Sequence, residues 1–479
     1  MAGETVVFTP IDAVWAKLDA SPSVMMELKE YFSFEIANAR HNPLVKKGLW
    51  DGMIRLVKRN KIYRGLANEI YAFCKHRNYK YEVDDGPRYP ISNVRDETLE
   101  SFLADLGLPS DMEIRDYQLS VLKEAAFVTR RLFLSPTSSG KSLMIYTLIK
   151  WHKERTLIIV PTTSLVHQLA GDFRDYGEKG EIHKIESGVE RWSSANIVVS
   201  TWQSAIKMVG TDWFDQFGMV IGDEAHKFAA KSLTTIMEAM PNCYLRYGFT
   251  GSLDESKCNA MILEGLFGPV MKVITTKELM NRGVVSSINI DVIILKHPEY
   301  VRRLKLRYAD EMTYLYTLRK RNDFIVRLAD TLQGNTLILF YKIEHGKEIA
   351  RLLAEKANRE AYFVDGSVDG EDRNEVRALV EKEDNAIIVA SYGTFSTGIN
   401  IKRLHNVILA SAWKSRVLNL QSIGRGLRKG SDKSELNFFD IADDMSWKGR
   451  KNFSLLHAEK RIRLYAEEDF QYHLNKIVL

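Results

Sequence analysis

One stretch limits what this 479-residue chain can fold into more than any other. The apolar run 131–134 leads into SPTSSGKS at 135–142, and that octapeptide leads into the helical pattern LMIYTLIK. Strand, tight turn and helix N-terminus, in that order, aim backbone N–H groups and the helix dipole at phosphate. Gly140 lets the backbone approach the phosphates, Lys141 reaches the β- and γ-phosphates, and the Ser142 hydroxyl ligates Mg²⁺. Pro136, Thr137, Ser138 and Ser139 complete the loop, and Ser135 stands where the usual pattern has its first glycine. The expected cofactors are ATP and Mg²⁺.

About 80 residues later, MVIGDEAH occupies 219–226. Two adjacent acids at the end of an apolar strand are costly to hold without a cation nearby. A bound Mg²⁺ supplies that cation: Asp223 is expected to hold the metal through water, and Glu224 to orient and deprotonate the attacking water. Alone, such a pair reads as a solvated turn or helix cap. With the phosphate loop at this separation it reads as a hydrolysis site.

Short apolar runs alternate with amphipathic stretches around both motifs, at 131–134, 156–160, 196–200, 219–221 and 245–249, and again at 336–340, 361–364, 386–390 and 406–409. Runs of four to six apolar residues between helical patterns are the mark of buried parallel strands, and two successive series predict two tandem α/β domains. The tail from Phe453 carries Leu455, Leu456, Ile462, Tyr465 and Phe470 at near-helical spacing and predicts a short helical segment. At 45% hydrophobic and 27% charged residues the composition excludes a disordered scaffold. No apolar stretch reaches the roughly 18 residues a membrane span needs, and the start, MAGETVVFTP, has no signal-peptide pattern. Cys74, Cys243 and Cys258 lack the paired short spacings of a zinc site, so the chain reads as reduced and intracellular.

Charge divides the chain further. Residues 31–80 hold eleven Lys or Arg against three Asp or Glu, whereas 81–113 hold two against nine. A basic block followed abruptly by an acidic one predicts a small first domain and an acidic connector. Within the basic block Lys46, Lys47, Arg55, Lys58 and Arg59 read as phosphate-binding cations, and Trp50 as an aromatic face for unpaired bases. Phe32, Tyr63, Tyr71 and Tyr79 lie among them; the alternative is that aromatics form the core and cations the solvated surface. The expected domains are 1–105, basic and nucleic-acid-binding; 106–285, the ATP-binding α/β domain; 286–447, a second α/β domain; and 448–479, the C-terminal helical segment.

Arg425 and Arg428 in QSIGRGLRK lie three apart, on one face of a helix; alone such a pair reads as a solvated face, and only in register with the motifs that follow does it read as a pair delivered across a cleft to the γ-phosphate. Taken in order from 114 to 428, the motifs resemble those of superfamily 2 helicases. IRDYQ is similar to the adenine-reading element, in which Gln118 bonds the base. VPTTSLVHQ, with Thr162, and STWQS, with Thr201, Trp202 and Gln203, look like strand-contacting elements, and FTGS at 249–252 sits where the family couples hydrolysis to domain movement. SYGTFSTGIN, with Thr394 on nucleic acid and Gly398 on nucleotide, matches the fifth motif. QSIGRGLRK matches the sixth, which adds Gln421 to the catalytic set. Two departures stand out: Asn400 replaces an acid common in relatives, and Ser252 closes a TGS form of an element more often written Ser-Ala-Thr.

The resemblance implies two RecA-like motor domains preceded by a small α+β domain. Within the superfamily, QSIGRGLR and LFGPVMKVITTKELMNRGVVS look like the DNA-repair and restriction-translocase branch, and the whole chain is similar to bacteriophage recombination and repair helicases. That implies ATP-driven 3′ to 5′ remodelling of branched DNA (forks, Holliday junctions, displacement loops) and RNA:DNA hybrids, by a monomer working with other recombination proteins in the cytoplasm of an infected bacterium. The residues themselves leave two rivals open: the motor subunit of a restriction system, and an ATP-switched sensor or annealing protein that keeps every motif without separating strands.

Overall fold

The computed structural model describes residues 4–36, 39–87, 96–253, 256–365, 383–397, 403–411, 415, 419, 422–424, 426–427 and 435–479. The chain divides into two compact units, one of residues 1–135 with 140–273 and one of residues 136–139 with 274–479.

In the first unit a seven-stranded sheet runs in the order Val270–Lys272, Arg130–Leu134, Leu245–Thr250, Met219–Asp223, Thr156–Val160, Ile197–Thr201, Ile182–Ile185, with every pairing parallel. Its central strands Thr156–Val160, Ile197–Thr201, Met219–Asp223 and Leu245–Thr250 are buried at every residue, as strands covered on both faces are. Parallel pairing places all the C-terminal strand ends on one edge, where ligands of open α/β sheets bind. The phosphate loop and the acid pair both leave from that edge.

The same unit contains the basic N-terminal region. A four-stranded sheet, ordered Lys61–Tyr63, Trp15–Asp19, Thr5–Pro10, Lys80–Val83, packs with helices Pro22–Tyr31 and Ala67–Arg77. Its apolar interior is continuous with one face of the parallel sheet: Phe8, Leu28, Phe32 and Ile70 share a core with Leu132, Ile159, Val220 and Phe267. The contact is backbone-close, since a Cβ on Gly65 would stand 2.2 Å from the Glu264 carbonyl oxygen and one on Gly265 would stand 2.7 Å from Tyr63 Cβ. Tyr63, stacked on Trp15 at 4.7 Å, donates its hydroxyl to Glu238 at 2.6 Å. The acidic connector is seated too: helix Asp96–Asp105 buries Leu99, and Leu106 follows it into the other face's core.

The second unit is built on a seven-stranded sheet in the order Ala361–Val364, Ile387–Ser391, Thr336–Phe340, Asn406–Leu409, Glu435–Asp444, Ser287–Lys296, Tyr472–Val478, again with every pairing parallel. The tail differs from its sequence reading in two ways. Helix Phe453–Glu467 is present, but it buries Ser454, His457, Ala458, Arg461, Leu464 and Tyr465 and leaves Leu456 exposed. An arginine faces the sheet because Asp440 is there to bind it. After the helix the chain forms an edge strand, Tyr472–Val478, which apolar spacing does not announce because six of its seven side chains are exposed. Its stability comes from ladder pairing with Ser287–Lys296. Among the described residues no helix is long and apolar enough to cross a membrane.

Candidate active site and nucleic-acid interface

The loop after Arg130–Leu134 begins where Ser135 N–H donates to the Thr250 carbonyl at 2.8 Å. Ser138 and Gly140 have φ of +67° and +81°, and Ser139 folds back so that its hydroxyl donates to the Pro136 carbonyl at 2.7 Å. Helix Lys141–His152 starts with Gly140 as its N-cap and no side-chain cap, so no side chain stands over its N-terminus, the end that favours an anion. The left-handed φ favours glycine here, and a Cβ would also push aside the Gln118 amide, whose Nε2 would lie at 2.3 Å. Gln118 is buried, and its Oε1 accepts the Arg115 N–H at 2.9 Å, which seats the amide at the base of the loop. The Ser138 hydroxyl is buried and, among the described residues, has no hydrogen-bond partner. Thr137 lies in the same unit as Gly424, whose Cβ position is 2.7 Å from the threonine Cβ.

Lys141 donates to the Ser135 carbonyl at 3.2 Å, and its charge is felt by both acids of the strand end. Asp223 is buried, and one of its oxygens accepts the Glu224 N–H at 2.9 Å. Burial first and the Glu224 charge second push its carboxyl above the ordinary range. Burial pushes Glu224 the same way, but the His226 hydrogen bond and the Lys141 charge more than offset it and hold Glu224 ionised. Glu224 also takes a left-handed φ of +53°, unusual for a residue with a side chain, which turns it out of the strand line.

His226 Nδ1 lies 3.3 Å from Glu224 Oε2 and 3.0 Å from Thr250 Oγ1, and the Thr250 hydroxyl donates to the Ser252 carbonyl at 2.9 Å. Because Thr250 gives its proton to Ser252, the hydrogen of the His226 contact resides on Nδ1. The acid motif and the TGS element are thus joined through one imidazole, a link that a separation of 24 residues hides from the sequence. An oxygen-only donor set of a buried carboxylate and a hydroxyl suits a hard divalent cation. Asp223, whose charge burial penalises, and Ser142, whose hydroxyl meets Tyr176 at 2.8 Å, are the residues that fit Mg²⁺.

The expected strand-contacting residues differ in their setting. Gln203 is exposed, whereas Trp202 leans on the core shared with the N-terminal region, and Thr201 is buried with its hydroxyl on Ser204 at 3.2 Å. Thr162 precedes helix Thr163–Asp175, and among the described residues its hydroxyl has no hydrogen-bond partner. Thr394 is buried in a cap with Ser391, 2.8 Å between hydroxyls. In the basic block Lys46, Lys47, Lys58 and Arg59 are exposed, Arg55 is ion-paired with Asp51, and Trp50 is half-buried with its indole N–H on the Met53 carbonyl. Phe32 and Tyr63 are core residues, while Tyr71 is exposed. Gly398, Gln421, Arg425 and Arg428 lie outside the described residues, as does Asn400.

Three family models match the chain in succession: "DNA helicase UvsW, N-terminal" over residues 6–84, "Type III restriction enzyme, res subunit" over 111–255, and "Helicase conserved C-terminal domain" over 320–430. The ATP-dependent DNA helicase uvsW of Enterobacteria phage T4 is 36% identical, with 97% of each chain covered. A DNA 3′-5′ translocase, XPB2 of Sulfurisphaera tokodaii, is 24% identical over 71% of this chain. The crystal structure of T4 UvsW superposes over 99% of both chains with a TM-score of 0.52 and 34% identity. The Type ISP restriction-modification enzyme LlaBIII bound to DNA superposes with a TM-score of 0.57 over 86% of this chain at 14% identity, which shows a common fold.

Proposed function

The chain belongs to the UvsW family of ATP-dependent helicases, and from that premise we propose that it unwinds and branch-migrates branched DNA, namely forks, Holliday junctions, displacement loops and RNA:DNA hybrid loops, in recombination and repair. The observation that carries this reading is the joined site of Lys141, Asp223, Glu224, His226 and Thr250, in a chain similar to the T4 helicase from end to end.

In the reaction we propose, Lys141 and the loop N–H groups hold the β- and γ-phosphates, with Gln118 at the adenine. Ser142 and Asp223 would hold Mg²⁺, which would supply positive charge against the charge that develops on the phosphates. Glu224 takes a proton from water as the water oxygen attacks the γ-phosphorus and the bond to the ADP oxygen breaks. Its low proton affinity is set by His226 and Lys141; the negative phosphates raise it and make it a competent base. Arg425 and Arg428, with Gln421, stabilise the transferring group, and Gly398 contacts the nucleotide. The His226–Thr250–Ser252 link reports the state of Glu224 to the TGS element. Thr162, Gln203 and Thr394 mark the strand path, and the exposed cations Lys46, Lys47, Lys58 and Arg59 grip junction phosphates. We place the action in the cytoplasm of an infected bacterial host.

A forked duplex and a four-way junction, each with and without ATP, test the reading. Strand displacement or branch migration that needs hydrolysis supports it. ATP hydrolysis stimulated by DNA with no strand displacement on any substrate replaces it with the sensor or annealing reading.

A further inference from the structure

Two segments about 145 residues apart, neither part of a motif named above, meet on the second unit. Residues 296–307 carry five Lys or Arg against a single Glu, and 447–451 carry Lys448, Arg450 and Lys451 with no acid. Like charges gather at a cost, so something must hold them. Arg450 donates to the carbonyls of Arg302 at 3.1 Å and Leu304 at 2.5 Å, and Arg302 donates to the Ser446 carbonyl at 3.0 Å. The Arg302 and Arg303 guanidinium groups stand 5.5 and 5.3 Å from the Trp447 ring centroid. These cations are used internally, and Arg303 and Lys451 also face Glu299 and Glu459.

Lys305, Arg307 and Lys448 are exposed, and among the described residues they make no ion pair. Three aromatics lie in the same segments: Tyr300 is 73% exposed, and Tyr308 and Phe453, partly exposed, meet edge-on at 5.4 Å. A shallow cleft of about 220 Å³ runs between the two segments, lined by Leu304, Lys305, Leu306, Arg450, Lys451 and Phe453 among others. Cations that make no ion pair, interleaved with partly exposed rings, are the surface chemistry that holds a sugar-phosphate chain while bases stack.

Position agrees. The segments follow strands Ser287–Lys296 and Glu435–Asp444, which end in register, Lys296 opposite Asp444. Ser391, from which the fifth motif departs, ends another strand of the same parallel sheet, three strand positions from Glu435–Asp444. At a spacing of ~4.8 Å per strand that is roughly 14 Å along one edge.

We propose that Tyr300, Lys305, Arg307, Tyr308, Lys448 and Phe453 form a second contact for an unpaired DNA strand, extending its path beyond the fifth motif. The inference rests on the motor reading above and adds where the strand goes after it leaves that motif.

The probe is oligothymidylate, with the full chain. Replacing Lys305, Arg307 and Lys448 together by Ala is expected to weaken binding and to make the slope of log affinity against log salt shallower by roughly 0.7 for each phosphate no longer neutralised. Tyr300→Ala is expected to weaken it roughly tenfold, the effect of removing a stacking ring from one base. Both variants should melt as the unaltered protein does. A 4-thiothymidine strand irradiated on the unaltered chain should cross-link to peptides spanning 299–308 or 447–453, a readout that does not depend on any variant folding. Unchanged affinity and salt slope in folded variants, or cross-links confined to other peptides, overturn the proposal, as does a loss confined to blunt duplex. If the unaltered chain neither binds the oligonucleotide nor couples it to ATP hydrolysis, the motor reading itself has failed.

Discussion

The two parallel sheets bury carboxylates in opposite ways. In the first unit Asp223 ends a strand with one oxygen on the next residue's N–H and, among the described residues, no guanidinium within ion-pair distance; burial pushes its carboxyl up. Arg246, fully buried in the same sheet, is spent on the carbonyls of Cys243, Met237 and Met240. In the second unit Asp440 accepts two bonds from Arg461, at 2.7 and 2.6 Å, and a third from Tyr465 at 2.9 Å. Asp443 accepts Arg321 through both oxygens at 3.0 Å and lies 3.0 Å from His297. Burial pushes Asp443 up, but Arg321 and His297 reverse it and hold the carboxyl below its usual range. A buried acid with its cation built in is structure, and one whose cation is left out is a place for a ligand.

If that distinction holds, the largest effect belongs to the first unit's acids and is purely kinetic. Glu224→Gln is expected to lower ATP turnover by about 10² to 10⁴-fold while ATP still binds and the melting temperature stays put, because the carboxamide accepts no proton. Single-turnover hydrolysis beside an equilibrium nucleotide titration checks it. Near-normal turnover would remove Glu224 as the base.

In the second unit the effect is on folding. Arg461→Ala leaves Asp440 charged and unpaired in the interior, which typically costs about 3 to 5 kcal/mol, whereas replacing both by apolar residues of similar volume should recover most of that stability. Denaturant unfolding of the two variants separates the cases. A small decrease in the single variant would mean that water reaches Asp440.

The same difference marks what was legible in the sequence. The runs at 156–160, 336–340, 361–364 and 406–409 coincide with strands because each is a short apolar stretch with clear ends. The ten-residue strands Ser287–Lys296 and Glu435–Asp444 escaped, since Asn289, Asp291, Asp440 and Asp443 break their apolar pattern. The partners that make those last two aspartates tolerable lie 21 and 122 residues away, beyond any local window. The phosphate loop and the Asp223–Glu224 pair were readable because each is contiguous. The seat of the N-terminal region on the first motor sheet was not: Gly65 and Gly265 are small for a contact about 200 residues apart in the chain.

Asp223 and Asp443 should also give opposite pH dependences. A carboxyl raised in the folded state binds more protons than the unfolded chain, so without nucleotide or metal Asp223 subtracts stability as pH rises from its ordinary range to about 6. The slope is at most about 1.4 kcal/mol per pH unit. Asp443, held low, contributes stability that is present above the ordinary carboxylate range and lost as pH falls below it. Asp223→Asn should therefore flatten the decline between about pH 4 and 6 without touching the acid limb. An unchanged profile would show that Asp223 already has its cation.

The smallest expected effect lies at Thr250, and it asks whether hydrogen bonds around the first unit's acids serve chemistry or folding. Thr250→Val keeps the shape of a fully buried side chain but removes both the acceptor for His226 and the donor to Ser252. A neutral buried hydrogen bond is worth about 0.5 to 1.5 kcal/mol, so the melting temperature should fall only slightly. His226 keeps Glu224 as a partner, and ATP turnover should therefore drop by only a few-fold. What should suffer more is the yield of unwound duplex per ATP consumed, because the imidazole would no longer tie Glu224 to the element that carries Ser252. Measuring hydrolysis and strand displacement on one fork gives that ratio directly. A ratio equal to that of the unaltered protein would make Thr250 a packing residue, and the link from acid pair to TGS element would carry no signal.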